Sequence, residues 1–121
     1  MNARRLFGFL LSAALLSLPR AGHAHAFLDH ADPKVGSTVR SPPAAVTLTF
    51  TEDVEPAFSK IEVIDSDGKA VPVGPLERPE ESSLRVSVPA LAGGTYRVNW
   101  RVVSVDTHVT EGSFTFAIQS P

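Results

Sequence analysis

No cysteine occurs anywhere in this 121-residue chain, and its one methionine is Met1. The first absence excludes disulfides and thiolate metal sites, so the fold must hold by packing alone. The second removes the thioether donors that soft metal ions prefer. Long apolar runs are missing too. The longest, Leu6 to Leu18, is thirteen positions, where spanning a bilayer takes roughly 20 residues. Nor is there a surplus of positive charge. Three of the eleven Lys and Arg residues lie in the first 24 positions, which leaves eight against thirteen acids and a formal charge of −5 beyond them. That balance disfavours nucleic acid or an anionic membrane surface as a partner and mildly suits a cation. There is no internal repeat, no low-complexity segment and, after residue 24, no convincing helical periodicity.

The first 24 residues read as a targeting segment. Arg4 and Arg5 form a positive n-region, Leu6 to Leu18 the apolar stretch, and a short c-region from Pro19 ends at Ala24. Arg4-Arg5-Leu6-Phe7 also resembles the core of a twin-arginine signal, although paired arginines occur in ordinary signals as well. Gly22-His23-Ala24 is the better small-x-small cleavage site, with Ala24-His25-Ala26 second. The first cut makes His25 the mature N-terminus; the second starts the chain at Phe27. The expected organisation is thus a signal peptide over 1–24 and one small domain over 25–121, a length that supports one core and not two.

Within that domain the sequence predicts strands. Val46, Leu48 and Phe50 alternate with threonines, the pattern of a half-buried strand. Lys60 to Asp65 is a second strand, and Asp65-Ser66-Asp67-Gly68 turns it into Ala70 to Val73. Leu84, Val86 and Val88 alternate again, closed by Pro89. Gly93-Gly94 opens the longest strand, with Tyr96, Val98, Trp100 and Val102 on one face and Arg97, Asn99 and Arg101 on the other. Phe114, Phe116 and Ile118 make a last strand. Some seven short strands punctuated by turn residues and ten prolines imply an all-β fold, a Greek-key β-barrel or sandwich. Trp100 and Tyr96 read as core residues, and Arg97 and Arg101 as a solvated face or, less simply, a docking face.

Two places carry candidate chemistry. If cleavage exposes His25, its α-amine and imidazole can chelate one metal ion through a six-membered ring. Asp106-Thr107-His108 supplies a carboxylate and a second imidazole on alternate residues, which share a face if the segment is extended. Three nitrogens and one oxygen form the tetragonal set that suits Cu(II), the tightest-binding divalent ion of the first row. Amine and imidazole have pKa values near ~8 and ~6.5, so a metal can displace their protons at neutral pH. Each half alone also has an ordinary reading, as a turn acid beside a surface histidine and as a c-region histidine of no consequence.

The residues themselves resemble a known family. His25-Ala26-Phe27-Leu28 followed by Asp32-Pro33 and Gly36-Ser37 is similar to the mature start of the CopC family of periplasmic copper-binding proteins. So are Pro43-Ala44-x-Val46-x-Leu48-x-Phe50-Thr51-Glu52 and the closing run Gly94-Thr95-Tyr96-Arg97-Val98-Asn99-Trp100-Arg101-Val102-Val103-Ser104-x-Asp106-Thr107-His108, then Gly112-Ser113-x-Thr115-Phe116. The resemblance covers essentially the whole mature chain. It implies a Greek-key β-barrel related to cupredoxin-like and immunoglobulin-like sandwiches, and a Cu(II) site of His25, Asp106 and His108. Glu52 matches a family glutamate near that site and is expected to be an outer-shell group or weak ligand, or else a solvated strand-end acid. The family's methionine-rich Cu(I) loop has no counterpart here. His30 reads as a surface histidine, with an auxiliary ligand as the other possibility.

The expected function is therefore a non-enzymatic, periplasmic Cu(II)-binding protein for copper homeostasis and resistance. A monomer is expected, with a CopD-type inner-membrane copper transporter as the implied partner and no nucleic acid. A histidine-brace oxidase or monooxygenase is the alternative, because an amine and two imidazoles also form that active site. Asp106 in an equatorial position and the small size of the domain, with no broad substrate platform, argue against it.

Overall fold

The computed structural model describes residues 25–121, so the targeting segment expected over 1–24 lies outside the described residues. Eight strands follow one another: β1 (Leu28–Asp32), β2 (Thr38–Val39), β3 (Ala45–Phe50), β4 (Lys60–Ile64), β5 (Ala70–Val71), β6 (Ser83–Ser87), β7 (Gly94–Val103) and β8 (Val109–Ile118). The only helical element among these residues is a 3-10 turn, Pro56–Phe58, between β3 and β4. The strands form a three-stranded sheet in the order β1-β3-β6 and a five-stranded sheet in the order β2-β8-β7-β4-β5. This is an all-β sandwich, as the alternation implies.

The core is the contents of that alternation. Val46, Leu48 and Phe50 from β3 and Leu84 and Val86 from β6 are buried, as are Ile61 and Val63 from β4. Tyr96, Val98, Trp100 and Val102 from β7 and Phe114, Phe116 and Ile118 from β8 complete the core. Phe50 meets Trp100 edge-on at 5.2 Å between ring centroids, which joins the two sheets, while Tyr96 stacks on Phe116 at 5.6 Å. Such pairs contribute beyond their buried area. The Tyr96 hydroxyl donates to the Ala92 carbonyl at 2.7 Å, which settles its polar end. On the outer face Arg97 reaches Ser113 and Arg101 lies 3.8 Å from Glu111, a solvated surface.

Three departures from the sequence reading have physical causes. β1 carries no clean alternation because a register irregularity between Leu28 and His30 shifts its pairing with β3. β2 is two residues long and pairs in parallel with the end of β8, too short for any periodicity. β8 begins at Val109 rather than near Ser113, since β7 and β8 pair over ten positions from Gly94↔Ile118 to Val103↔Val109.

That ladder places Gly112 opposite Trp100. A Cβ at position 112 would lie 2.4 Å from Trp100 Cζ2 and 2.8 Å from Cε2. Gly112→Ala should therefore push the indole off its rotamer, costing about 1–3 kcal/mol. For a domain of this size that is a fall of roughly 4–8 °C in Tm per kcal/mol. Thermal unfolding followed by near-ultraviolet circular dichroism checks this; an unchanged Tm contradicts the packing described.

Candidate metal centre

The centre forms where the start of the described chain meets the loop closing the β7–β8 hairpin. The loop runs from Ser104 to His108. The Thr107 N–H donates to the Ser104 carbonyl at 2.8 Å, and the Ser104 N–H donates to the His108 carbonyl at 2.9 Å. Thr107 has φ +74°, the left-handed residue that follows the turn in a three-residue hairpin loop. A β-branched residue resists that conformation, at a cost of order 1–3 kcal/mol. Asp106-Thr107-His108 is thus a tight turn and not the extended segment in which alternate residues would share a face. Even so the two side chains converge, with His108 Nδ1 3.2 Å from Asp106 Oδ1.

Ser104 governs how they converge. It is 1% exposed, and its hydroxyl donates to the same Asp106 Oδ1. An Nδ1–H of His108 would point its proton at this carboxylate oxygen, the tautomer that leaves Nε2 as the free nitrogen. Asp106 in turn keeps its second oxygen available. The Ser104 hydroxyl first, and then the His108 hydrogen bond, hold the Asp106 carboxyl below the usual carboxylate range, while burial works the other way.

His25 is brought to this loop by a clamp on the residues after it. Ala26 is 0% exposed, and its carbonyl accepts from the Thr110 hydroxyl of β8 at 2.6 Å. The Phe27 N–H donates to Thr51 Oγ1 at 3.0 Å, and the Thr51 N–H donates to the Phe27 carbonyl at 2.8 Å. The Thr51 hydroxyl also reaches the His25 carbonyl at 3.4 Å. Thr51 follows the three-stranded sheet and Thr110 belongs to the five-stranded one, so the clamp bridges both. Its result is that the His25 and His108 rings stand 4.6 Å apart, centroid to centroid.

The other candidates lie apart. Glu52 is exposed, and among the described residues no hydrogen bond or ion pair ties it to His25, Asp106 or His108. His30 pairs with Asp29 at 2.8 Å instead. Among the described residues no three His, Asp or Glu side chains form a ready cluster. Asp106 has one oxygen committed to its own loop, and the remaining donor at His25 is a backbone nitrogen, which becomes an amine only after cleavage. Ser104, Thr51 and Thr110 escaped the sequence reading as functional residues. The sole signal was that hydroxyl residues sat at strand ends.

The sequence profile of the CopC domain matches residues 28–119. This chain belongs to the CopC family. It is similar to protein YobA of Escherichia coli strain K12, 38% identical over 99 residues that cover 79% of this chain and 80% of that protein. It is also similar to copper resistance protein C of Xanthomonas campestris pv. juglandis, 33% identical over 118 residues and 91% of each chain. The crystal structure of CopC from Methylosinus trichosporium OB3b superposes with a TM-score of 0.73 at 37% identity, covering 79% of this chain and 95% of that one. The sandwich is therefore a CopC fold.

Two outcomes test the geometry without metal. The folded state holds the Asp106 proton less tightly than the unfolded chain does. Its contribution to stability is therefore present above the ordinary carboxylate pKa near ~3.9 and is lost as the pH falls through the lower folded value. Asp106→Asn should be less stable than the parent at neutral pH, and the gap should close on acidification; denaturant titrations across that range measure it. Thr107→Gly should relieve the backbone strain and raise stability by about 1 kcal/mol. A lower denaturation midpoint would contradict the strained turn.

Proposed function

We propose that residues 1–24 are a signal peptide and that cleavage after Ala24 yields a periplasmic protein, residues 25–121, that binds Cu(II). The ion is cargo: the protein sequesters or carries it for copper homeostasis and resistance, and is not an enzyme. The observation that carries this reading is the approach of two imidazoles, from residues 25 and 108, to 4.6 Å. Nothing in chain proximity brings them together, and a clamp of threonine hydroxyls holds one of them there. The copper resistance protein among the relatives of this chain supports the choice of cargo.

In this reading His25 supplies its new α-amine and its imidazole, His108 its Nε2, and Asp106 the oxygen not held by Ser104. Glu52 remains an outer group at the rim. Three nitrogens and one oxygen suit tetragonal Cu(II), and the absence of methionine beyond Met1 argues against a Cu(I) store. Asp106 filling an equatorial position leaves no open place for oxygen chemistry. The protein's own work is to preorganise donors: the turn at Ser104–His108 holds one imidazole beside the Asp106 carboxylate, and the clamp fixes the chain's start. The family resemblance adds a CopD-type inner-membrane copper transporter as the implied partner, and the carrier is taken as a monomer.

The test begins with mass spectrometry and N-terminal sequencing of the exported protein, followed by Cu(II) titration. An N-terminus at His25 and tight Cu(II) binding are expected. His108→Ala should lower affinity by more than roughly 100-fold, and Ser104→Ala by about 10-fold, since supporting groups of a metal site typically contribute 10–100-fold. One extra residue ahead of His25, which returns its amine to a peptide bond, should match the His108→Ala loss. A chain starting at Phe27, or a His108→Ala variant with unchanged affinity, would sink the assignment.

A further inference from the structure

Five large apolar side chains are exposed among the described residues: Phe27, Val35, Phe58, Val105 and Val109. Single exposed apolar residues are ordinary, so the distribution carries the meaning. Phe27 stands with its ring 5.9 Å from that of His25. Val105 is on the loop that holds Asp106 and His108, and Val109 follows His108. Phe58 ends the 3-10 turn; its carbonyl accepts from Arg101 Nη1 at 3.3 Å, and the adjacent Ser59 hydroxyl accepts from the Val103 N–H at 3.0 Å. Four of the five thus lie at the end of the sandwich that carries the metal centre. Val35 lies elsewhere, in the turn where Gly36 bonds to Thr115 well along β8.

Charge at the same end is predominantly negative, with Arg101, Lys60 and Arg78 outnumbered by carboxylates. The Asp53 carbonyl takes the Val105 N–H at 3.1 Å, and the Glu55 N–H gives to the Val103 carbonyl at 2.8 Å, so Glu52, Asp53 and Glu55 flank the loop together with Asp106 and Glu111. Arg101 lies 3.8 Å from Glu111, while Lys60 is paired with Glu62 and Arg78 with Glu81. Exposed apolar side chains and an excess of carboxylates thus share the end that carries His108, whose side chain is 44% exposed.

We propose that this end is the docking face through which the ion is handed on, and that its occupant is a partner protein presenting an apolar patch flanked by Lys or Arg. The proposal rests on the copper reading of His25 and His108. A second copy of this chain would set carboxylates against carboxylates, and an anionic membrane would be repelled in the same way. Apolar anchors inside a charged rim are the usual anatomy of a specific protein interface.

The experiment places a photo-crosslinking side chain at Val105 and, in a separate protein, at Val35, in cells that make the protein and are grown in copper. The adduct peptides are then sequenced. An adduct at Val105 to an apolar peptide bearing basic residues, absent at Val35 and reduced severalfold by raised salt, is the expected result. No adduct, an adduct to a second copy, to lipid or to a peptide without basic residues overturns the proposal. A Phe58→Ser variant should keep the parent's Cu(II) affinity and Tm yet reduce the cells' copper tolerance to that of cells without the protein. Unchanged tolerance also overturns it. Failure of the parent protein to bind Cu(II) in titration is a separate result that removes the copper reading itself.

Discussion

The ten-position ladder between β7 and β8 is the constraint on which the rest of this molecule depends. Its two outer edges receive β4 and β2, so the five-stranded sheet grows from it. Its inner face supplies Tyr96, Trp100, Phe114 and Phe116 to the core, the large apolar areas that let a chain without disulfides stay folded. Its closed end is the loop from Ser104 to His108. Its second strand carries Thr110, which holds the carbonyl of Ala26. A slip of one residue along this ladder would invert every side chain on β8, lose the space that Gly112 leaves for Trp100, and carry Thr110 away from the chain's start.

Much of this was legible in the residues because the physics is local. Trp100 and its neighbours on β7 alternate from Tyr96 to Val102, and a two-residue period over that length has no other structural reading. β1 was not legible, because its pairing slips between Leu28 and His30, and β2 offers only two residues. At the centre, the residue types of Asp106 and His108 were readable, but the conformation between them was not. Nothing in a threonine announces a positive φ; the hairpin demands it once both strands are paired. Ser104, Thr51 and Thr110 were still less visible, since a hydroxyl that acts across 84 positions, as Thr110 does on Ala26, leaves no periodic trace.

The division of labour at the centre follows from those contacts. Rigid sheet elements hold the small hydroxyl residues, and these in turn hold backbone or carboxylate groups rather than the ion itself. The imidazoles stand outermost. In the proposed copper centre this order would separate affinity, set by the donors, from geometry, set by neighbours that do not touch the ion. Membership of the CopC family accounts for the sandwich.

The clamp on the chain's start has a consequence for proteolysis. The peptide bond between Ala26 and Phe27 has its carbonyl held by Thr110 and its N–H held by Thr51, and the Ala26 side chain is fully enclosed. A peptidase must draw its substrate into an extended, accessible strand, and this bond is neither free nor exposed once the sandwich has formed. Exopeptidase trimming of the folded protein would thus halt ahead of that bond, and the fold itself sets how far the chain's start can be shortened.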